Sequence, residues 1–166
     1  MKVSYSDEKV LIADDPSIFL AGPTPRKETG GESWRPKAIR ILKEIGFGGI
    51  VYVPEPKSGV WPKEYIDQAE WEWAGLLASD AVVFWIPRNM KTMPALTTNT
   101  ELGWIVGSQP QKCVYGRPDN SEKNRYPDVF VKKFTGKDFE NTLEGTLRQA
   151  VILANKRNEK ENGNGR

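Results

Sequence analysis

The feature that most constrains this chain is an unbroken apolar run, Val82-Val-Phe-Trp-Ile86, closed by Pro87. Consecutive β-forming residues with no polar alternation read as a strand covered on both faces. Such strands belong to parallel sheets held between layers of helices. Asp80 stands just ahead of the run and Arg88 just behind it. Beyond a loop, Met93-Pro-Ala-Leu-Thr-Thr-Asn-Thr-Glu-Leu-Gly-Trp104 reads as the start of a helix. Thr97 or Thr98 can cap it, and Leu102, Ile105 and Val106 give it an apolar side. A buried strand, a loop and a helix N-terminus form the place where open α/β sheets bind ligands. One carboxylate, Glu101, sits just inside that helix.

The rest of the chain alternates in the same way. Ser17-Ile-Phe-Leu-Ala-Gly22 is a second buried strand, ending in the turn Gly22-Pro-Thr-Pro25, where backbone can approach a ligand closely. A helix follows from a Ser33 cap through Pro36 to Ile45, with Ile39 and Leu42 inward and Gly46 as its stop. Gly49–Val53 is a short strand halted by Pro54-Glu-Pro56. Lys63–Ala78 is a helix whose Ile66, Ala69, Trp73, Leu76 and Leu77 recur at spacings of three and four. Gln111–Gly116 is a further strand, followed by Arg117. Tyr126–Phe139 fits either a short strand or a helical turn. Asn141–Lys156 is the last helix. Residues 1–16 form an edge segment or a mobile arm. Strand–helix alternation predicts an α/β fold with a parallel sheet, because parallel strands need crossover connections. The expectation is one domain over residues 1–157 and a disordered polar tail over 158–166.

Composition narrows the chemistry. Among 166 residues there is no histidine and one cysteine, Cys113. Ser-His-Asp and Cys-His nucleophile systems are excluded, and a thiolate zinc site with them. An enzyme built from this chain works with carboxylates, Lys, Tyr, Cys or backbone dipoles. The net charge of +2 argues against nucleic acid or an anionic membrane as partner. No apolar run approaches the roughly 20 residues that span a bilayer, and the first 15 residues lack a signal-peptide core. A cytoplasmic protein is expected. Neither GxGxxG nor GxxxxGK[ST] is present, so nicotinamide-cofactor and P-loop chemistry are unsupported. No cofactor or metal is expected.

Four loops follow strands and belong to the carboxyl edge of the sheet. They carry Thr24, Arg26, Glu55, Arg88, Asn99, Glu101 and Arg117. Glu101 has two readings. Thr98-Asn-Thr-Glu101 fits a capping box, in which the glutamate folds back onto the N–H of the cap. A carboxylate at a helix N-terminus is also stabilised as an anion and can attack an electron-poor sugar carbon. Glu70 and Glu72 differ by about 200° around their helix, so only one of them faces any given cleft. One or two of the six tryptophans can stack on a planar base.

Five segments in order carry a family resemblance: Ile18-Phe-Leu-Ala-Gly-Pro-Thr24, Val51-Tyr-Val-Pro-Glu-Pro56, Glu70-Trp-Glu-Trp-Ala-Gly75, Ser79-Asp-Ala-Val-Val-Phe-Trp-Ile-Pro-Arg88 and Leu96-Thr-Thr-Asn-Thr-Glu-Leu-Gly103. Together they resemble the nucleoside 2-deoxyribosyltransferase-like proteins. The resemblance implies a flavodoxin-like three-layer sandwich with about five strands. It implies cleavage or exchange of the N-glycosidic bond of a (deoxy)nucleoside or nucleotide through a covalent glycosyl-enzyme. Glu101 falls on the nucleophile, and Glu72 on the acid that handles the base or its proton. Asp80 and Asn99 become supporting residues, and Gly22, Thr24 and Arg88 line the pocket. Thr24, Arg26 and Arg117 match loosely the phosphate-binding residues of relatives that hydrolyse nucleoside 5′-monophosphates. A small-molecule nucleoside or nucleotide is the implied partner, and a homo-oligomer the implied assembly. By analogy with retaining glycosidases, the two carboxyls should stand about 5–5.5 Å apart. The chain departs from the transferase pattern in three places. Gly22-Pro-Thr-Pro25 replaces a tyrosine, Ala95 replaces an aspartate, and the C-terminus is an Asn-Gly-rich tail. A non-catalytic nucleotide-binding module on the same fold is the alternative these departures leave.

Overall fold

The computed structural model of the chain describes residues 1–26 and 31–163, with side chains as far as Arg157. Five strands, β1 (Lys2–Tyr5), β2 (Ser17–Ala21), β3 (Ile50–Val53), β4 (Ala81–Trp85) and β5 (Cys113–Gly116), form one sheet in the order β1-β3-β2-β4-β5. Every pairing is parallel. The central strands β2, β3 and β4 are buried at every residue, as their unbroken apolar runs require. The N-terminal segment supplies β1 as an edge strand beside β3.

Five helices cover the sheet: α1 (Arg35–Glu44), α2 (Tyr65–Ala78), α3 (Leu96–Ser108), α4 (Arg125–Thr135) and α5 (Leu143–Gly163). On one face, Leu42 of α1 and Leu147 of α5 pack with Ile18, Leu20, Val51 and Val83. On the other, Trp71 and Leu76 of α2, Ile105 of α3 and Val131 of α4 pack with Phe19, Tyr52 and Phe84. The result is a flavodoxin-like three-layer α/β sandwich. Among the described residues no helix is long and apolar enough to cross a membrane.

The chain leaves β2 for β3 on one side and leaves β4 for β5 on the other. The strand order therefore reverses between β2 and β4, which opens a crevice at their carboxyl ends. Backbone fit sets the shape of that crevice. Gly22 has φ of 144°, and a Cβ there would lie 2.2 Å from the Trp85 carbonyl oxygen. Only glycine lets β2 turn this close to the end of β4.

Several elements differ from the sequence pattern. The ambiguous segment after Arg125 is the helix α4, with Pro127 in its first turn, where a missing N–H costs nothing. The helix α5 runs to Gly163, past Lys156, because Asn158-Glu-Lys-Glu161 contains no residue that breaks a helix. Residues 164–166 of the expected tail, like 27–30 of the loop after β2, lie outside the described residues. The largest correction concerns α2. Its inward residues are Gln68, Trp71, Gly75 and Leu76, whereas Ile66, Trp73 and Leu77 are 52%, 49% and 52% exposed. Gly75 decides this rotation. A Cβ there would lie 2.7 Å from the Phe19 ring, so the helix seats its bare backbone on the sheet. Of the apolar period visible in the sequence, Leu76 faces the sheet, while Ile66, Trp73 and Leu77 form an outward stripe.

Candidate active site

A cavity of about 530 Å³ opens at the carboxyl ends of β2 and β4. The β2 turn brings Gly22, Thr24 and Arg26 to it. Residues Ala95, Thr98 and Glu101 come from α3 and its approach, and Gln68 and Glu72 come from α2. Trp61, Lys63 and Tyr65 form the rim ahead of α2. Arg35, in the first turn of α1, completes the wall.

Glu101 is placed by an early helix start. The chain enters α3 through Ala95 in the left-handed region, at φ 59°, and the Ala95 carbonyl accepts the N–H of Asn99. Thr98 is thus inside the helix and makes no side-chain cap, so the capping box does not form. One turn further along, Glu101 turns towards α2 and comes close enough to Glu72 to share a proton. Burial pushes both carboxyls up. Glu101 rises from an ordinary 4.5 to about 8, first through desolvation and then through the neighbouring Glu72 charge. Glu72 is raised by desolvation too, but its hydrogen bond from Gln68 and the charge of Arg35 offset part of that. Both carboxyls are thereby held towards their protonated forms.

The opposite wall has the reverse chemistry. Arg35, whose side chain is only 2% exposed, forms a salt bridge of 2.6 Å from Nη1 to Glu55 Oε1. Its Nε donates to the Leu20 carbonyl at 3.0 Å and its Nη2 to the Gly22 carbonyl at 2.7 Å. The Thr24 and Ser33 hydroxyls donate to the same Glu55 oxygen at 3.2 and 2.9 Å. The end of β2, the end of β3 and the start of α1 are thereby tied into one corner.

Four residues expected at the site are elsewhere. Asp80 lies at the amino end of β4, at the far edge of the sheet, where it accepts the Ser17 N–H and hydroxyl, each at 2.8 Å. Arg88 is buried and donates to the Lys123 carbonyl at 2.9 Å and to Asn99 Oδ1 at 2.5 Å. The two residues pin the loop after β5 to α3, away from the cavity. Arg117 is held by both Asp128 oxygens and lies over the Phe139 ring. The resemblance and the strand-end loops point to them, and each is held by a specific partner instead.

Three cavity residues carry signals that sequence reading passed over. Arg35 is a cation in a helix's first turn, against the helix dipole, which marks a residue with a specific partner. Gln68 stands four residues before Glu72, so the two share a helix side. Trp61 sits between the β3 stop and α2, the loop class that lines switch-point crevices. Of the other tryptophans, Trp34 and Trp71 are buried and donate to the Pro23 and Glu8 carbonyls.

Residues 15–120 match the family model described as nucleoside 2-deoxyribosyltransferase like. A search of curated proteins gives no match. The matched span covers well over half of the chain and includes every residue of the cavity wall. The chain belongs to this nucleoside 2-deoxyribosyltransferase-like family.

Proposed function

We propose that this family member cleaves or exchanges the N-glycosidic bond of a (deoxy)nucleoside or nucleotide through a glycosyl-enzyme on Glu101. The observation that carries the reading is the proton-sharing pair of Glu72 and Glu101 in the wall of a cavity at the switch point. Moving the shared proton from Glu101 to Glu72 creates a nucleophile and an acid in one step. The Glu101 carboxylate attacks C1′ as the bond from C1′ to the base breaks. The base leaves with the electron pair of that bond and takes the proton from Glu72. The sugar is then held as an ester of Glu101. A second base or water attacks C1′, and Glu72 recovers a proton from that acceptor. The oxocarbenium character of each transition state is met by the adjacent carboxylate. No histidine is required.

Gly22, Thr24 and Arg26 belong to the substrate wall in this reading, and Trp61 and Tyr65 offer aromatic surface for the base. A second reading, hydrolysis of a nucleoside 5′-monophosphate, is favoured by one feature. The α3 N-terminus lines the same cavity as Arg26 and Lys63, and helix N-termini favour anions. Self-association over the outward Ile66, Trp73 and Leu77 stripe of α2 also belongs to this proposal.

The test is product analysis after incubation with deoxynucleosides, nucleosides and their 5′-monophosphates, with and without a second base. The transferase reading expects a new nucleoside when a second base is present. The hydrolase reading expects free base and sugar phosphate. Nucleotide binding without any base release would leave a non-catalytic module.

A further inference from the structure

One stretch of chain carries the cavity rim, and the N-terminal arm holds that stretch at both ends. Residues 54–64 join β3 to α2 and bring Trp61, Pro62 and Lys63 to the cavity, with Tyr65 at the start of α2. After β1 the chain turns back on itself, and the Glu8 N–H donates to the Tyr5 carbonyl at 2.9 Å. That turn aims the Asp7 carboxylate at the loop. Its Oδ1 accepts the Lys57 N–H at 2.8 Å, and its Oδ2 accepts the Ser58 N–H at 3.0 Å. Beside them the Ser6 N–H donates to the Glu55 carbonyl at 3.2 Å. The bonds continue towards the rim. The Ser58 hydroxyl accepts the Val60 N–H at 3.2 Å, one residue before Trp61, and the Gly59 N–H returns to the Pro56 carbonyl at 3.1 Å. At the other end of the stretch, the Glu8 carbonyl accepts the Trp71 indole N–H at 2.9 Å. Trp71 packs on Phe19 and Tyr52 and immediately precedes Glu72. Two successive arm residues thus bracket the segment that carries the rim.

Asp7 itself is exposed, and its carboxylate serves the loop rather than the core. The N–H groups of Ser58 and Lys57 hold that carboxyl down at about 2, so the acceptor is charged throughout the neutral range. The arm also precedes residues 15–120, the span that matches the family model, so this support for the rim comes from outside that span. We propose that Asp7 is a positioning residue that fixes the rim loop, and with it Trp61, in the orientation that receives the substrate base. A loop ordered in advance does not have to be ordered by the ligand, so the clamp acts on affinity and not on bond breaking. Glu72 and Glu101 stand on α2 and α3, which are seated by their own packing on the sheet.

The inference rests on the nucleoside reading above for its ligand, but the loop can be followed without one. Deuterium exchange of the full chain is the first measurement. In Asp7→Ala, amides of residues 59–65 should exchange about tenfold faster, while β4 and α5 stay as in the parent. Steady-state kinetics on the deoxynucleoside panel is the second. KM should rise roughly fivefold with kcat unchanged. Asp7→Asn keeps one acceptor oxygen and should fall between the parent and Asp7→Ala in both measurements. Lys2→Ala breaks the 3.0 Å ion pair with Asp15 elsewhere on the same N-terminal segment, and should move neither. Unchanged exchange over residues 59–65, or a fall in kcat at constant KM, would overturn the proposal. So would a Lys2→Ala variant that reproduces both effects, since that would be general loosening of the arm. Should Asp7→Ala fail to fold, Asp7→Asn decides. A parent that turns over no nucleoside would sink the reaction and leave exchange to decide on the clamp. Turnover with unchanged exchange in the variant would do the reverse.

Discussion

Glu55 stands behind the cavity wall, bonded to Arg35, and Glu101 lines the cavity itself, and their surroundings make them different groups. Glu55 receives a guanidinium and two hydroxyls on a single oxygen. Its charge is matched, and its work is to join the ends of β2 and β3 to α1. Glu101 meets a second carboxyl, and desolvation pushes it up to about 8 against the pull of the Arg35 charge. The same functional group is thus a fixed anion on one side and a proton store on the other. The difference comes from the sequence distance of the partners. Arg35 reaches Glu55 from the neighbouring crossover helix, whereas Glu72 and Glu101 are delivered by two helices that flank β4. A buried carboxyl without a cation is costly to fold. On the function proposed above, its retention beside a cavity reflects a reactive site.

The contrast can be broken from either wall. The largest effect is expected at the proton store. Glu101→Ala should reduce base release or exchange by about 10³-fold or more, since it removes the group that forms the covalent intermediate, while the fold persists by circular dichroism. Full activity in that variant would refute the nucleophile. On the fixed-anion wall the loss should appear in stability. Arg35→Met leaves Glu55 without its cation and removes the guanidinium donors from the Leu20 and Gly22 carbonyls. Denaturant titration should register a loss of about 3–5 kcal/mol, the usual cost of breaking one side of a buried pair. An unchanged midpoint would show that the corner does not hold the two strand ends.

A smaller effect separates the crevice from the opposite edge of the sheet. Asp80→Ala removes the acceptor for two Ser17 groups. A cost of about 1–3 kcal/mol is expected, with KM and kcat unchanged under conditions where the variant is folded. A change in KM alone would return Asp80 to the site. The effect of pH at the proton store has the opposite sign. Glu101 holds its proton in the folded state up to about pH 8, whereas in the unfolded chain it loses it near 4.5. Its contribution is fully present below the unfolded value, falls as pH rises between the two, and is gone above the folded one. Glu101→Gln removes this slope. At pH 8 the variant should be more stable than the parent by an amount on the order of several kcal/mol, and the gain should vanish near pH 4.5. A parallel pair of Tm–pH curves would contradict the raised value.

Much of this arrangement was legible in the chain. The run Val82–Ile86 marked the buried centre, and the breaks at Gly22, Pro54 and Pro87 marked the loops of the carboxyl edge. Spacing alone left Glu101 between a helix cap and a nucleophile, because a Thr98 start and an Ala95 start differ by less than one turn. The left-handed Ala95 that decides between them has no sequence signature; a glycine would have shown it. Position beside a strand was a poor guide to side-chain role. Asp80 is claimed by Ser17 from 63 residues away, and Arg88 by Lys123. The outward stripe of α2 was misread because apolar periodicity alone does not say which side of a helix rests on the sheet. Gly75, the residue that seats the helix, contributes nothing to a hydrophobic pattern.

The most direct measurement of the central claim is peptide-resolved mass spectrometry of the protein quenched during incubation with a mixed deoxynucleoside panel. A chain carrying one deoxyribosyl unit, mapped to Glu101 and absent from Glu101→Gln, is the predicted result. Base release with no adduct at any time point, or an adduct on another residue, would contradict the account.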